Sequence, residues 1–559
     1  MVQFLFTYQF KGIFLTFLLC FFLIDLKAQT APRSLHQNIT IEKFLDIPVS
    51  GVRIAYDQVT KALYFNSFTG DVYKINQLTE QPVSWAPVAS LANHGINYLQ
   101  GLAFADSTMI LVGNHKENGQ RGYGLVVAGI LQRDGNRIWK TLLRTEPYPS
   151  SATLYDHAFS GVCVSPNRDS LYISSGSRTD HGEIEDTEGL YPNTREVALT
   201  TVIFKIPLNV KAPTIELPND SAALDRLGYV FCRGVRNEFD IALDSKGRLF
   251  GVENSGDRDD PEEMNWLRKG RHYGFPWEMG GNQTPQQFAG YNPKEDKLLP
   301  PNLSDYQLSK FQNDPGFPKK PAGLIITQPI RSTGPHANYV HEPTNNQWVP
   351  SNSISTFTGH RSPVGLVFDN DSTLADFTGD AFVLAYSAGG NVRGGYLPAI
   401  DAGEDMCHVR LQYDRAADNF TAQVTRIADQ FMGPTDAEKV GNILYVIEDK
   451  RNAIWKLTFK KREVTQPKPD PVTGFEPNEE SDINIFPNPA TQQLTVEIGL
   501  TIQWTRLSLI TLSGILIKQH LNLGGSTSAV LDISPLPQGF YLLKIDTVQG
   551  EINRKVIKY

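Results

Sequence analysis

Residues 232–275 read CRGVRNEFDIALDSKGRLFGVENSGDRDDPEEMNWLRKGRHYGF, and this stretch decides the fold. Phe239, Ile241 and Leu243 alternate with other residues, a turn follows at Asp244-Ser245-Lys246-Gly247, and a second apolar run covers Leu249 to Val252. Two such runs joined by a Gly-containing turn predict an antiparallel hairpin. Directly beyond it, Asn254-Ser255-Gly256-Asp257-Arg258-Asp259-Asp260 gathers acids around a glycine and stops at Pro261. Oxygens concentrated in a Gly-containing loop suit a hard cation such as Ca²⁺, and they equally suit a solvated acidic turn.

The hairpin is one copy of a repeat. Related runs are Ala62–Phe65, Met109–Val112, Ser170–Ile173, Arg248–Gly251, Ala381–Leu384 and Ile443–Val446. Most follow, by six to ten residues, a Gly-apolar-x-apolar run such as Gly51–Ile54, Gly101–Phe104, Gly161–Val164 or Gly365–Phe368. A further amphipathic strand comes after, as at Asp71–Ile75, Val202–Ile206 and Ile454–Leu457. Repeated small sheets without helices between them predict an all-β fold, and six copies predict a six-bladed β-propeller over residues 45–461. The longest connection, between Tyr273 and His360, is rich in Pro, Asn and Gln. Long connections gather at the faces of a propeller and shape the mouth of its channel, where function usually resides.

With 559 residues the chain can bury a large core, and 45 Gly with 35 Pro mark turn-rich globular material. A formal charge of −8 with no basic face excludes a general nucleic-acid binder. At the N-terminus, Lys11 precedes the apolar run Ile13–Ile24, and Ala28 is a small residue suited to cleavage. Residues 1–28 therefore read as a secretory signal peptide too short to span a bilayer, so the processed chain is not expected to be transmembrane. Cys20 follows Leu19 rather than a small residue and is not expected to be lipidated. Cys163, Cys232 and Cys407 remain, which excludes a disulfide scaffold and a CxxC metal pair; one bridge is permitted and no pairing can be chosen.

After Lys461 the composition changes. Residues 462–482 hold four prolines, many charges and little apolar content, the marks of an extended linker. Beyond it, residues 483–559 carry short alternating runs at 494–498, 507–510, 515–517, 540–545 and 555–559, which predict an immunoglobulin-like β-sandwich. Three motifs stand in this tail: Phe486-Pro487-Asn488-Pro489-Ala490, Leu536-Pro537-Gln538-Gly539-Phe540-Tyr541 and the terminal Lys555-Val556-Ile557-Lys558-Tyr559. In that order they resemble the C-terminal sorting domain of type IX secretion cargo. The resemblance implies the type IX secretion machinery as a partner, export through the periplasm and outer membrane, and a secreted or cell-surface protein.

Several segments between Gly51 and Phe459 resemble the soluble glucose dehydrogenase and L-sorbosone dehydrogenase families. They are Asp156-His157, Leu171–Arg178, Gly234-Val235-Arg236-Asn237, the acidic loop with Tyr273-Gly274-Phe275-Pro276, and His360–Gly365. The resemblance implies an oxidoreductase that moves hydride from a sugar or polyol to pyrroloquinoline quinone, with Ca²⁺ beside the quinone. It implies His157 as general base, a task that suits a neutral imidazole. It implies Arg236 and Asn237 on the cofactor, where a guanidinium can bind carboxylate in bidentate fashion. Gly256 and Asp257 fall where the family supplies carbonyl ligands to Ca²⁺, and Asp259 of the same loop is the third metal candidate. Two departures stand out: Gly433-Pro434-Thr435-Asp436 replaces two family arginines, and Ser160 stands where the sorbosone branch has another. His360 and Arg361 are the candidates to supply the missing charge. No C-x-x-C-H haem site exists, so an electron acceptor would be a separate molecule. Two alternatives on the same fold are a non-catalytic ring that binds a glycan or protein, and a Ca²⁺-assisted hydrolase or lactonase.

Overall fold

The computed structural model describes residues 31–76, 78, 82–118, 120–352, 355–389, 397–460, 483–499, 503–511, 516–522, 526–547 and 550–559. The expected signal peptide (1–28) and linker (462–482) lie outside these. The chain divides into two compact units, residues 1–463 and 464–559. Both are nearly all β; the helices among the described residues are short pieces such as Leu91–His94, Ser221–Leu227 and Ser304–Gln307.

In the first unit, six mainly antiparallel sheets of three or more strands follow one another along the described chain. Their first strands are Arg53–Asp57, Tyr98–Ala105, Phe159–Val164, Glu238–Leu243, Pro363–Phe368 and Pro434–Val440. Each packs beside the next, and the sixth returns to the first, so the sheets close into a ring. The Gly-apolar runs of the repeat lie in or at these first strands, and the Leu-Tyr-type runs lie in the second strands. The deciding hairpin pairs Ile241 with Gly251 and Leu243 with Leu249. Its turn is held by Asp244, whose Oδ1 accepts from the amides of Lys246 and Arg248, with Gly247 at φ +72. Alternation buries both faces of every sheet. Val72 and Leu111 share one apolar cluster, Val112 and Leu171 the next, Ile203 and Ile241 a third. Phe250 and Leu366, Leu384 and Leu444, and Ile447 and Ile54 complete the circuit.

One feature departs from the sequence reading. The unit begins before residue 45: Ile39–Asp46 pairs with Ala453–Phe459 as the outer strand of the sixth sheet, and Arg33–Ser34 extends the fifth. Closing a ring needs one sheet assembled from both chain ends, a pairing across some four hundred residues that no local pattern announces. The three cysteines Cys163, Cys232 and Cys407 are all free thiols.

Arg53, 3% exposed, reaches across the ring axis. It donates to the carbonyls of Gln100, Phe239 and Val364 and faces Asp240 at 3.2 Å and Asp436 at 3.7 Å. Five of the six first strands or the residues flanking them therefore meet at one guanidinium. Those aspartates stitch strands as well, accepting from the amides of Leu366 and Ile54.

The second unit has two antiparallel sheets. One orders Ile483–Phe486, Gln493–Ile498 and Ser528–Asp532; the other orders Leu516–Leu521, Trp504–Thr511, Gly539–Thr547 and Gly550–Lys558. Both contribute to one core, with Leu494, Val496 and Leu531 from the first and Leu507, Leu543 and Val556 from the second. The motif tyrosine Tyr541 donates from its hydroxyl to the carbonyl of Pro537, closing the turn of the second motif.

Candidate active site

The base and cofactor candidates sit where the chain enters its first strands, and Gly256, Asp257 and Asp259 follow the second strand Leu249–Glu253. His157 precedes Phe159–Val164, Asn237 precedes Glu238–Leu243, and His360 with Arg361 precedes Pro363–Phe368. A cavity of about 890 Å³ lies toward the other end of these strands, lined by Val164, Leu243, Phe368 and Lys439 among others. None of the candidates lines it.

His157 is half-buried, and its Nδ1 lies 3.1 Å from both the carbonyl and the hydroxyl oxygen of Ser177. A carbonyl only accepts, so the ring proton is on Nδ1 and the lone pair on Nε2. Burial, and next the Arg236 charge, lower its pKa to about 3. Asp156 does not orient the ring; it pairs with Lys116 at 2.8 Å. Gly176 is required beside it, since a Cβ there would lie 2.5 Å from the His157 Cβ. Gln100, unremarked in the sequence, donates to the His157 carbonyl at 2.6 Å.

Arg236 is fully buried and already engaged. Nε donates to the Asp180 carbonyl at 2.7 Å, Nη1 to the Asn254 carbonyl at 2.9 Å, and Nη2 to Asp180 Oδ1 at 3.0 Å. Asn237 lies alongside, with Nδ2 3.4 Å from Asn254 Oδ1 and its own Oδ1 buried without a partner. The Arg-Asn pair and His157 are thus brought together, linked by Ser177, whose amide donates to the Arg236 carbonyl at 2.6 Å.

Asp259 and Arg361 are both engaged by other side chains. Both Asp259 oxygens are taken by imidazoles, Oδ2 by His341 at 2.8 Å and Oδ1 by His360 at 2.7 Å. Burial works against each charge in this triad and is the largest single effect at Asp259 and His360, while at His341 the Asp259 bond comes first; the mutual bonds lower the Asp259 pKa and raise those of both histidines. Asp259 thus serves as the counter-ion of two imidazoles, each of its oxygens accepting one hydrogen bond. Arg361 points into the core, where it bonds Asp401 and Asp405 and lies 3.5 Å from Cys407 Sγ. Its charge is balanced there by the two aspartates. His360 stands at φ +65 and faces the loop, but its charge is matched by Asp259.

Gly256 and Asp257 sit against a residue the sequence did not single out as a ligand. A Cβ on Gly256 would be 2.6 Å from Asp180 Oδ1, and the Asp257 amide donates to that same oxygen at 3.0 Å. Asp257 Oδ2 in turn accepts from the Asp305 amide at 3.0 Å. Beneath the loop, Asp180, His181 and Asp305 offer ligand atoms within 4.8 Å of one another. Burial alone would lower the His181 pKa, but Glu183, Asp180 and Asp305 raise it to about 9; burial and then the charges of Asp180 and Glu183 raise Asp305 to about 8. Asp180 and His181 follow the Gly176-Ser177-Arg178 motif after Thr179, a signal that could have been read. Asp305 lies in the long Tyr273–His360 connection, and nothing local marks it. Arg178 proves structural: wholly buried, it donates to the carbonyls of Pro149, Ser150, Glu185 and Arg195 and orders the loops around the site.

No curated protein sequence matches the chain. Among solved structures, the chain is similar to the apo form of the soluble aldose sugar dehydrogenase from Escherichia coli. Identity is 14% over 76% of this chain and 100% of that one, with a TM-score of 0.47. It is also similar to the holo form of the pyranose dehydrogenase PQQ domain from Coprinopsis cinerea, at 13% identity, 77% and 97% coverage and a TM-score of 0.46. A third is the PQQ-bound aldose sugar dehydrogenase from Streptomyces coelicolor, at 14% identity, 77% and 99% coverage and a TM-score of 0.43. No residue role follows from likenesses of this size. The family model for the secretion system C-terminal sorting domain matches residues 484–559, which carries the type IX export signal and indicates a secreted or cell-surface protein.

Proposed function

We propose that residues 39–460 form a six-bladed β-propeller that works, after export, as an oxidoreductase on a sugar or sugar-like alcohol or aldehyde, with pyrroloquinoline quinone as its cofactor. The tail is read as an immunoglobulin-like sandwich. The observation that carries the reading is the His157 tautomer: a neutral ring with Nδ1–H held by Ser177 and the Nε2 lone pair left to act, close to Arg236 and Asn237.

The residues fit one end of such a cofactor. Arg236 has five N–H groups and makes three hydrogen bonds among the described residues, which leaves two for a carboxylate. Asn237 Oδ1, buried and unpartnered, would accept from a pyrrole N–H. Positive charge for further carboxylates is thin, because Lys116, His360 and Arg361 are each matched by aspartates. When bound, the quinone supplies the hydride acceptor. His157 takes the substrate hydroxyl proton at Nε2, and Ser177 holds the ring in the tautomer that can do so. A pKa near 3 keeps Nε2 unprotonated at any working pH.

Calorimetry with the quinone, followed by sugar-dependent dye reduction, tests the reading. His157→Gln is expected to keep quinone binding and lose roughly 10²–10⁴-fold in turnover. Arg236→Lys is expected to weaken binding roughly ten- to a hundredfold, with excess cofactor restoring part of the rate. Wild-type protein that binds no quinone would overturn it. The paired cations would then favour the second reading, a ring that binds a glycan or protein without turnover.

A further inference from the structure

We infer that Asp180, His181 and Asp305 form a binding site for one divalent transition-metal ion of the Zn²⁺ or Mn²⁺ kind, distinct from a Ca²⁺ site on the Asn254–Asp260 loop. All three residues are 0% exposed, and their ligand atoms lie within 4.8 Å of one another. The decisive group is Asp305. Among the described residues neither of its carboxylate oxygens has a hydrogen-bond partner, and its nearest cation, His181 Nδ1, is 4.0 Å from Oδ2. A buried carboxyl left this way must stay protonated or have a positive charge set against it. The Nε2 of His181 is likewise buried and unpartnered.

Charge points the same way. Asp180, Glu183, Asp257 and Asp305 gather here, and Arg236 reaches only Asp180. Glu183 is used structurally, its two oxygens accepting the amides of Asp180 and His181 and so fixing the backbone that presents both ligands. Phe311 stacks on the His181 ring at 4.0 Å between centroids, walling the site with an apolar surface. Two carboxylates and one imidazole suit a borderline ion. Ca²⁺ seeks six to eight oxygens, and this pocket offers fewer side-chain oxygens and a nitrogen. Three protein ligands leave coordination open for water or a bound molecule. Because Asp180 Oδ1 also holds Arg236 and the Asp257 amide, an ion here would orient both from one step behind. The site does not depend on the role given to His157.

The test uses the full chain, stripped with chelator and titrated with Co²⁺, whose visible absorption reports nitrogen and oxygen ligation in a low-coordinate site. One equivalent is expected, displaced by Zn²⁺ and retained in a hundredfold excess of Ca²⁺. Asp305→Asn is expected to weaken Co²⁺ binding roughly a hundredfold or more while Asp259→Asn leaves it unchanged; His181→Gln serves if Asp305→Asn does not fold. Absence of a visible spectrum at one equivalent, full binding by both Asp305→Asn and His181→Gln, or displacement by Ca²⁺ would each overturn the site. Loss in Asp259→Asn with retention in Asp305→Asn would overturn it too and move the ion to the loop. Quinone binding that fails while Co²⁺ binding succeeds would leave this site standing without the proposed function.

Discussion

Replacing Arg361 separates a cofactor ligand from a buried counter-ion. Its side chain is 3% exposed and lies between Asp401 and Asp405, each with a fully buried side chain. Arg426 faces the same two aspartates at 2.7 and 2.6 Å, so two cations balance two anions. In Arg361→Leu one cation must serve both carboxylates, helped by the Thr358 hydroxyl on Asp401 at 2.8 Å and only by the weak thiol donor of Cys407 on Asp405 at 3.7 Å. Removing one member of a buried pair costs about 3–5 kcal/mol, since the remaining charge stays out of water. At roughly 2 cal/mol/K of unfolding entropy per residue, that is a fall of about 3–5 °C in Tm for a unit of this size. Denaturant unfolding of the full chain, followed by tryptophan fluorescence, measures the loss directly. The double variant Arg361→Leu with Asp405→Asn restores neutrality and is expected to regain at least half of it. A loss below about 1 kcal/mol, or a double variant less stable than the single one, would refute the counter-ion role; reduced quinone affinity at unchanged stability would return Arg361 to the cofactor.

The triad His341–Asp259–His360 predicts a pH dependence. Both histidines are raised, so their contribution is complete below the unfolded value of about 6.5 and is lost as pH climbs through their folded values; Asp259 is lowered, so its contribution is lost in acid. Stability from this triad is therefore greatest between about pH 4 and 6.5, and His341→Gln should flatten the decline above that window in melts across pH; an unchanged slope would count against the triad. Limited proteolysis should cut first between residues 462 and 482, whose prolines and charges separate the two units, and a first cut inside a sheet of the ring would contradict that division.

What the sequence determined by itself was the local material of the fold. Alternating runs set off by Gly turns specify hairpins, because period-two burial and turn chemistry act over a few residues. The hairpin at Glu238–Glu253, the second strands of the repeat and most strands of the tail were legible for that reason, as were its three motifs. The Arg236-Asn237 pair and His157 could be named because short motifs carry them. Only the tertiary structure decided what those groups touch. Arg236 spends most of its donors on Asp180 and Asn254, Asp259 is claimed by two histidines, and Arg361 turns inward to Asp401 and Asp405. The ring closure through Ile39–Asp46, the axial Arg53 and the meeting of Asp180 and His181 with Asp305 are likewise contacts between distant segments. A charged side chain is equally plausible in sequence as a ligand, a surface group or a buried counter-ion. Which it becomes depends on the partner that folding brings within 3 Å, and no local pattern encodes that partner.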